Sequence, residues 1–333
     1  MRSKIRFGVI GCSSVAKRTI IPAIINTKNA HLQRIGSRDV TKAEKFARQF
    51  SCKQFGTYDD VLNDENIDAV YISLPIRLQE DIAIRAAKAG KHIICEKSAC
   101  TSFVAARRML NACAKNKVRI LEGFSFRFHP QHEYFTKIIH SKSFGKPLLF
   151  TSKFLIPMTE DFNDFRFKKE LGGGSLNDLG CYIICASRNM FNSEPISVRC
   201  SLYQRKKSHV DLHGNLLLEF TDNRYAFGVF GYEHDYEANY DMISNKNTIR
   251  SEISYNIRSE RKPIITYNGQ KTKTVTLPAT NQSILMIKNF CDVLKHTKPS
   301  LFPYEKDLSH QAQIMEACRM SNVRNKTINI KVI

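Results

Sequence analysis

Three groups of residues in this sequence have the types and spacing for chemistry. The first is Gly11-Cys12-Ser13-Ser14-Val15-Ala16, which follows the apolar run Ile5–Ile10 and precedes a helical pattern. The fingerprint G-x-G-x-x-G/A aligns on it as Gly11, Ser13 and Ala16. The first position permits a tight turn, the second lets a pyrophosphate approach the backbone, and the third must be small for helix–strand packing. The helix N-terminus then faces the phosphates with its partial positive charge. Ser13 departs from the second glycine, but it is small and its hydroxyl could donate to a phosphate. Residues Gly11 to Ala16 are the expected dinucleotide turn.

The second group closes the next strand, at Gly36-Ser37-Arg38-Asp39. An NAD-binding domain carries here an acid that accepts from the ribose 2′-hydroxyl. Ser37 and Arg38 instead suit a 2′-phosphate, with Lys42 close enough in sequence to help. Asp39 could be the NAD-type carboxylate, one residue late. The sign of the charge favours NADP(H) over NAD(H).

The third group joins Glu96-Lys97 to Asp178 and Tyr182, which are four apart on one expected helix and so share a side of it. Hydride transfer to a ketone builds negative charge on oxygen, which needs a cation and an acid. Taken singly, Glu96–Lys97 could be a surface ion pair, Asp178 a first-turn carboxylate and Tyr182 a core residue.

Three segments decide between these readings. Gly90-Lys91-His92-Ile93-Ile94-Cys95-Glu96-Lys97-Ser98 resembles the "GKHVLCEKP" stretch of the Gfo/Idh/MocA oxidoreductases. Glu122–Gln131 is similar to that family's "EGFMYRFHPQ", and Gly172–Tyr182 to its "GGGxLxDxGxY/H". The resemblance covers essentially the whole chain. It implies that Lys97 polarises the substrate carbonyl; Tyr182, its acidity raised by adjacent Lys97, could then serve as the general acid, or as the base in the oxidative direction, with Asp178 on the same side of its helix. Arg127 and His129 could bind substrate or brace the domain junction, although His129 precedes Pro130 and could only cap a helix. Leu74, Pro75, Gln79, Glu96 and Lys97 are expected near the nicotinamide end of the cofactor. The Gly-Cys-Ser-Ser-Val-Ala-Lys-Arg-Thr start resembles ketoreductases acting on nucleotide-linked sugars. Two departures stand out. Ser98 replaces the proline after lysine, so any cis bend there is lost or made otherwise. Ile76 and Gln79 stand where relatives often carry Asn and His.

The elements that must position these residues follow from periodicity. From Lys4 to about Glu122, short apolar runs alternate with helical segments over 16–26, 41–50, 79–89 and 103–115. That alternation predicts a doubly wound parallel sheet of Rossmann type over 1–123. After Arg127, a helix over 176–191 precedes strand-like segments at 196–203, 215–220, 225–231, 248–255 and 273–277, then helices over 282–296 and 305–322. The fold class is α/β, with an α+β second domain over 124–333 carrying a large, mostly antiparallel open sheet.

Composition bounds the rest. The 333 residues are 42% hydrophobic, enough for two cores. No run approaches the ~20 apolar residues of a membrane span, and the start lacks a signal peptide's apolar region. Ten cysteines without Cys-x-x-Cys spacing indicate free thiols in a reducing compartment and no metal site. The expectation is a cytoplasmic protein. The net charge of +20 is spread along the chain, with no nucleic-acid motif; it suits phosphate-bearing ligands rather than nucleic acid or membrane. The leading expectation is an NADP-dependent oxidoreductase of a sugar or nucleotide sugar, assembled as a homodimer or homotetramer. The alternatives are a non-catalytic NADP(H)-binding sensor, and a dehydrogenase of a free sugar, polyol or dihydrodiol.

Overall fold

The structure is a computed structural model describing residues 4–161, 163–205, 208–269 and 271–331, so Met1–Ser3 of the expected lead into the first strand lie outside it. The chain divides into two compact units. One comprises Met1–Ser125 with Ser283–Ser309, the other Phe126–Gln282 with His310–Ile333.

The first unit is built on β1 (Ile5–Ile10), α1 (Ile21–Asn26), β2 (Ala30–Gly36), α2 (Val40–Gln49), β3 (Gln54–Gly56), α3 (Tyr58–Leu62), β4 (Ala69–Ile72), α4 (Ile76–Lys88), β5 (His92–Cys95), α5 (Phe103–Lys115) and β6 (Ile120–Glu122). Its sheet has the order β3-β2-β1-β4-β5-β6, parallel throughout. Strands covered on both faces read as continuous apolar runs, as Val9–Ile10 and Ala69–Ile72 do here, all fully buried. The strand order reverses between β1 and β4, and ligands of such sheets bind outside the strand C-termini at that switch point. Gly90 caps α4 with φ +71°, as expected. Helix α4 starts three residues before its expected beginning because Pro75 fixes the preceding turn.

Residues 283–309 differ from the expected partition, which assigned everything after 123 to the second domain. Within the first unit Phe290 packs on Phe7 with ring centroids 6.5 Å apart, and Asn29 donates to Asp292 at 2.7 Å. Arg119 donates to Glu305 at 2.7 Å. These contacts tie a C-terminal helix, Gln282–Leu294, and the first turn of the next, Tyr304–Arg324, to the first unit.

The second unit contains α6 (Pro130–Ile139), β7 (Pro147–Leu155), α7 (Cys181–Phe191), β8 (Ser197–Tyr203), β9 (His213–Phe220), β10 (Arg224–Gly231), β11 (Glu237–Ser244), β12 (Thr248–Ser251), β13 (Ile264–Asn268), β14 (Thr272–Thr276) and β15 (Ile328–Asn329). The sheet order is β14-β13-β12-β11-β7-β10-β9-β8-β15, antiparallel except where β7 meets β10. One face buries Phe150, Phe154, Leu216, Leu218, Ala226, Phe230, Tyr240 and Met242. The alternate positions Leu149, Leu217 and Phe227 remain exposed. This matches the expected open sheet.

Candidate active site

The turn after β1 needs its glycine. Gly11 has φ +103°, and a Cβ there would lie 2.3 Å from the Ser73 carbonyl oxygen. Ser13 takes a structural part: its Oγ accepts from the Ala16 N–H at 3.0 Å and lies 2.6 Å from Ser73 Oγ. The helix opens with a π-turn over Ala16–Ile20 before continuing as α1, a local form often found at functional sites.

A crevice of about 500 Å³ lies over the C-terminal ends of β1, β2 and β4. It brings together Gly11, Cys12 and Ser13 with Ser37, Arg38 and Lys42, and with Leu74 and Pro75. Ser14 and Val15 lie outside that lining, Ser14 exposed, and Ala16 is fully buried in the helix–strand contact. Burial pushes the Cys12 thiol up to about 11, so it lines the crevice as a neutral group. Asp39 also lines it, with Oδ1 accepting from the Lys42 N–H at 3.2 Å to cap α2. A residue holding a helix N-cap has a reason to be acidic apart from any ribose.

Sequence reasoning missed two lining residues, Tyr58 and Ser73. Tyr58 opens α3, with Arg38 near enough to act on its hydroxyl. The signal was available in Thr57-x-x-Asp60, a capping box in which Asp60 accepts from the Thr57 N–H at 2.7 Å.

Glu96 and Lys97 follow β5 and are half-buried. The Lys97–Ser98 peptide is cis without proline, the second of the two outcomes expected for Ser98. Tyr71, fully buried, donates from its hydroxyl to Glu96 Oε1 at 2.6 Å, and Ala99 N–H donates to Glu122 Oε1 at 2.8 Å. Gln79 corrects an expectation: it is 0% exposed and does not line the crevice. Its side-chain nitrogen donates to the carbonyls of Glu96 at 3.2 Å and Ser98 at 2.8 Å, while the Cys95 thiol donates to its oxygen at 3.3 Å.

In the second unit, Asp178 lies in a π-turn over Leu176–Gly180, and Tyr182 in the α-helix that follows. The expected single helix is thus two kinds of turn, and Gly180, at their junction, packs closely on Phe230. Asp178 forms an ion pair with Arg166 at 3.1 Å and accepts from the Tyr232 hydroxyl at 3.4 Å. Sequence reasoning missed both partners. Burial and the nearby Asp178 carboxylate push the Tyr232 hydroxyl well above its usual value. Tyr182 is 9% exposed, its ring packed against Phe126, Phe154 and Tyr255. His129 accepts from the Gln131 N–H at 3.1 Å and caps α6, and Arg127 is buried with Nη2 3.5 Å from Asn189 Oδ1.

Among the described residues no group of three or more His, Cys, Asp or Glu could hold a metal ion, and all ten cysteines are buried and outside any disulfide. No helix there is long and apolar enough to cross a membrane.

Residues 5–124 match the oxidoreductase family with an NAD-binding Rossmann fold, GFO/IDH/MocA, and residues 132–250 match the C-terminal domain of the same family. A dTDP-3,4-didehydro-2,6-dideoxy-alpha-D-glucose 3-reductase from Saccharopolyspora spinosa is 30% identical over 290 residues, 85% of each chain. The chain is a Gfo/Idh/MocA oxidoreductase. A reductase of the same description from Actinomadura kijaniata is 29% identical over 95% of both chains. The crystal structure of KijD10, a 3-ketoreductase from that organism in complex with NADP and TDP-benzene, superposes with a TM-score of 0.91 at 28% identity, covering 96% of this chain and 98% of that one.

In this Gfo/Idh/MocA chain the crevice supplies what phosphates need: backbone N–H groups at a helix start, one guanidinium and one ammonium. The Glu96-Lys97 segment leaves the same sheet edge two strands from β1. Within the second unit, Tyr182 on α7 stands one helical turn past Asp178, which pairs with Arg166.

Proposed function

We propose that this chain is an NADP(H)-dependent reductase of a keto sugar carried on a nucleoside diphosphate. The observation that carries the cofactor reading is Arg38 beside Ser37 and Lys42 in one crevice, with Asp39 turned to capping α2. Gly11 to Ala16 would bind the pyrophosphate, and Ser37, Arg38 and Lys42 the 2′-phosphate. Leu74, Pro75 and Glu96 would border the nicotinamide end. The substrate class is supported by the reductases of dTDP-linked keto sugars that this chain resembles over most of its length, and by the net charge of +20.

In this reading bound NADPH supplies the hydride to the carbonyl carbon. Lys97 stabilises the charge that develops on the carbonyl oxygen, and the Tyr182 hydroxyl gives that oxygen its proton. Asp178, held by Arg166 and Tyr232, fixes the start of the helix that carries Tyr182. Arg127 and His129 act through packing rather than by touching the sugar.

The test is turnover. NADPH and NADH are titrated into the protein, then dTDP-linked and free keto sugars are screened by cofactor absorbance, with Lys97→Ala alongside. NADPH oxidation by a dTDP-linked ketone, lost in the variant, supports the reading. Tight NADPH binding without turnover, indifferent to Lys97, would establish the sensor instead. Turnover of free sugars alone would transfer the substrate assignment to them.

Two further proposals concern the protein's surroundings. Leu149 on β7, Leu217 on β9 and Phe227 on β10 form an exposed apolar stripe, Phe227 directly opposite Leu217. Such a stripe suits self-association into a dimer or tetramer, readable as mass by light scattering. Ten cysteines outside any disulfide suit a cytoplasmic location.

A further inference from the structure

We propose that Gln79 is the positioning residue for Lys97, because its single side-chain amide holds the carbonyls on both sides of that lysine. The proposal rests on the reading of Lys97 as the residue that polarises the carbonyl.

Gln79 is fully buried on the first turn of α4. A buried amide is costly unless its hydrogen bonds are met. The Cys95 thiol donates to Oε1 at 3.3 Å, which leaves the two hydrogens of Nε2 facing the segment after β5. Nε2 reaches the Glu96 carbonyl at 3.2 Å and the Ser98 carbonyl at 2.8 Å. These oxygens belong to the residues immediately before and after Lys97. The Glu96 carbonyl lies in the peptide plane that leads into the Lys97 Cα, and the Ser98 carbonyl lies in the plane one residue beyond it, so the two bonds pin the backbone on either side of Lys97 and with it the direction in which its side chain leaves. On the far side, Ala99 N–H is held by Glu122 at 2.8 Å.

A methionine would fill the same space. What glutamine adds is a pair of donors aimed at two consecutive turns of backbone around one lysine. The glutamate of the same shape offers no N–H and would set a carboxylate against two carbonyl oxygens. A histidine can aim one N–H at this segment, enough for one carbonyl of the two. A misplaced polarising group of about 1 Å costs on the order of 100-fold in rate, so a clamp of this kind bears on the chemical step and leaves the cofactor crevice alone.

The experiment compares Gln79→Met, Gln79→Glu and Gln79→His with the parent chain, alone and combined with Lys97→Ala. A dTDP-linked keto sugar and NADPH are the probes. The expected result for Gln79→Met is a fall in kcat of about 10- to 100-fold, with KM and NADPH Kd changed little and Tm lowered by the lost hydrogen bonds. A larger primary isotope effect with 4-deuterated NADPH should accompany it, because hydride transfer becomes limiting. Gln79→His should recover part of kcat, and in the Lys97→Ala background Gln79→Met should add no further loss. Unchanged kcat in Gln79→Met, or a loss that is fully additive with Lys97→Ala, overturns the proposal. A loss that merely follows NADPH Kd, or the fraction unfolded at the assay temperature, also overturns it. If Gln79→Met fails to fold, Gln79→His carries the same comparison. Full activity of Lys97→Ala would instead overturn the reading of Lys97, an outcome seen without any change at Gln79.

Discussion

Ser13 Oγ lies 2.6 Å from Ser73 Oγ, joining the turn after β1 to the end of β4. Ser73 Oγ is in turn 3.4 Å from the Tyr71 hydroxyl, which donates to Glu96 at 2.6 Å. A line of hydroxyls therefore runs from the turn to the carboxylate beside Lys97. The serine that spoils the glycine fingerprint is the first member of that line and caps the opening helix as well.

Restoring the fingerprint should consequently weaken the site. Ser13→Gly removes an acceptor for Ala16 N–H and the partner of Ser73. A net loss of about 1 kcal/mol corresponds to roughly a fivefold rise in NADPH Kd. Calorimetric titration checks it; tighter binding would show that the hydroxyl obstructs the pyrophosphate.

Arg38→Ala should separate the two cofactors. Loss of a charge-assisted contact to the 2′-phosphate, worth about 2 kcal/mol, raises NADPH Kd roughly 30-fold. NADH Kd should move less than about twofold, since NADH presents no phosphate there. Fluorescence titration of both cofactors reads the difference.

Tyr182→Phe keeps a ring among Phe126, Phe154 and Tyr255 and removes only the hydroxyl. We expect Tm to hold and kcat to fall about 100-fold or more, as the loss of a general acid does. NADPH binding should be unchanged. A variant as active as the parent would remove Tyr182 from the mechanism.

Glu194→Gln should destabilise the second unit. Arg188, 4% exposed in its side chain, donates to Glu194 at 2.6 and 2.9 Å, and His310 lies 2.8 Å from the same carboxylate. Burial opposes ionisation of Glu194, but the bonds from His310 and Arg188 outweigh it and bring the acid down to about 2. Breaking one side of a buried pair costs about 3 kcal/mol. In the parent, this support is complete above the usual carboxylate range near 4.5 and fades as pH falls towards 2. Urea melts between pH 2 and 5 should show that dependence in the parent and its loss in the variant.

Acid should act on the same unit through two histidines. Burial lowers His129 to about 4 and His132 to about 3, and His132 Nδ1 lies 2.6 Å from the Tyr240 hydroxyl. The unfolded chain takes up protons near the usual 6.5 while the folded chain does not, so stability is complete above that value. It declines as pH falls towards 4 and then 3, each histidine steepening the unfolding constant by up to about tenfold per pH unit. His132→Gln should flatten part of the slope in pH-dependent urea melts.

The parallel sheet was legible in the sequence because strands buried on both faces leave unbroken apolar runs, as Ala69–Ile72 does, and because Gly90 marks a helix end. The motif residues of the crevice were equally readable, since Gly11 answers a steric demand that no other side chain meets. The central strand β7 was not. Its inward positions Phe150, Ser152 and Phe154 alternate properly, but Ser152 interrupts the apolar signal; buried, it bonds to the Asn239 carbonyl at 2.8 Å and the Tyr255 hydroxyl at 2.6 Å. β11 escaped notice similarly, with the charged Glu237 and Asp241 at outward positions satisfied by Lys153 and Arg250 across the sheet. Gln79 was misread for a related reason. Its spacing after Pro75 says where it starts along α4, and only the packed structure shows that it faces backbone and not cofactor.

The return of residues 283–309 to the first unit bears on how the protein is made. The ribosome finishes β6 more than 150 residues before it delivers Phe290, Asp292 and Glu305 to Phe7, Asn29 and Arg119. At about 5–20 residues per second, the nascent sheet waits on the order of 10 seconds or more with those partners missing. A gene fragment ending near residue 124 leaves it permanently in that state, so a soluble cofactor-binding fragment must carry the distant C-terminal segment, fused or added in trans.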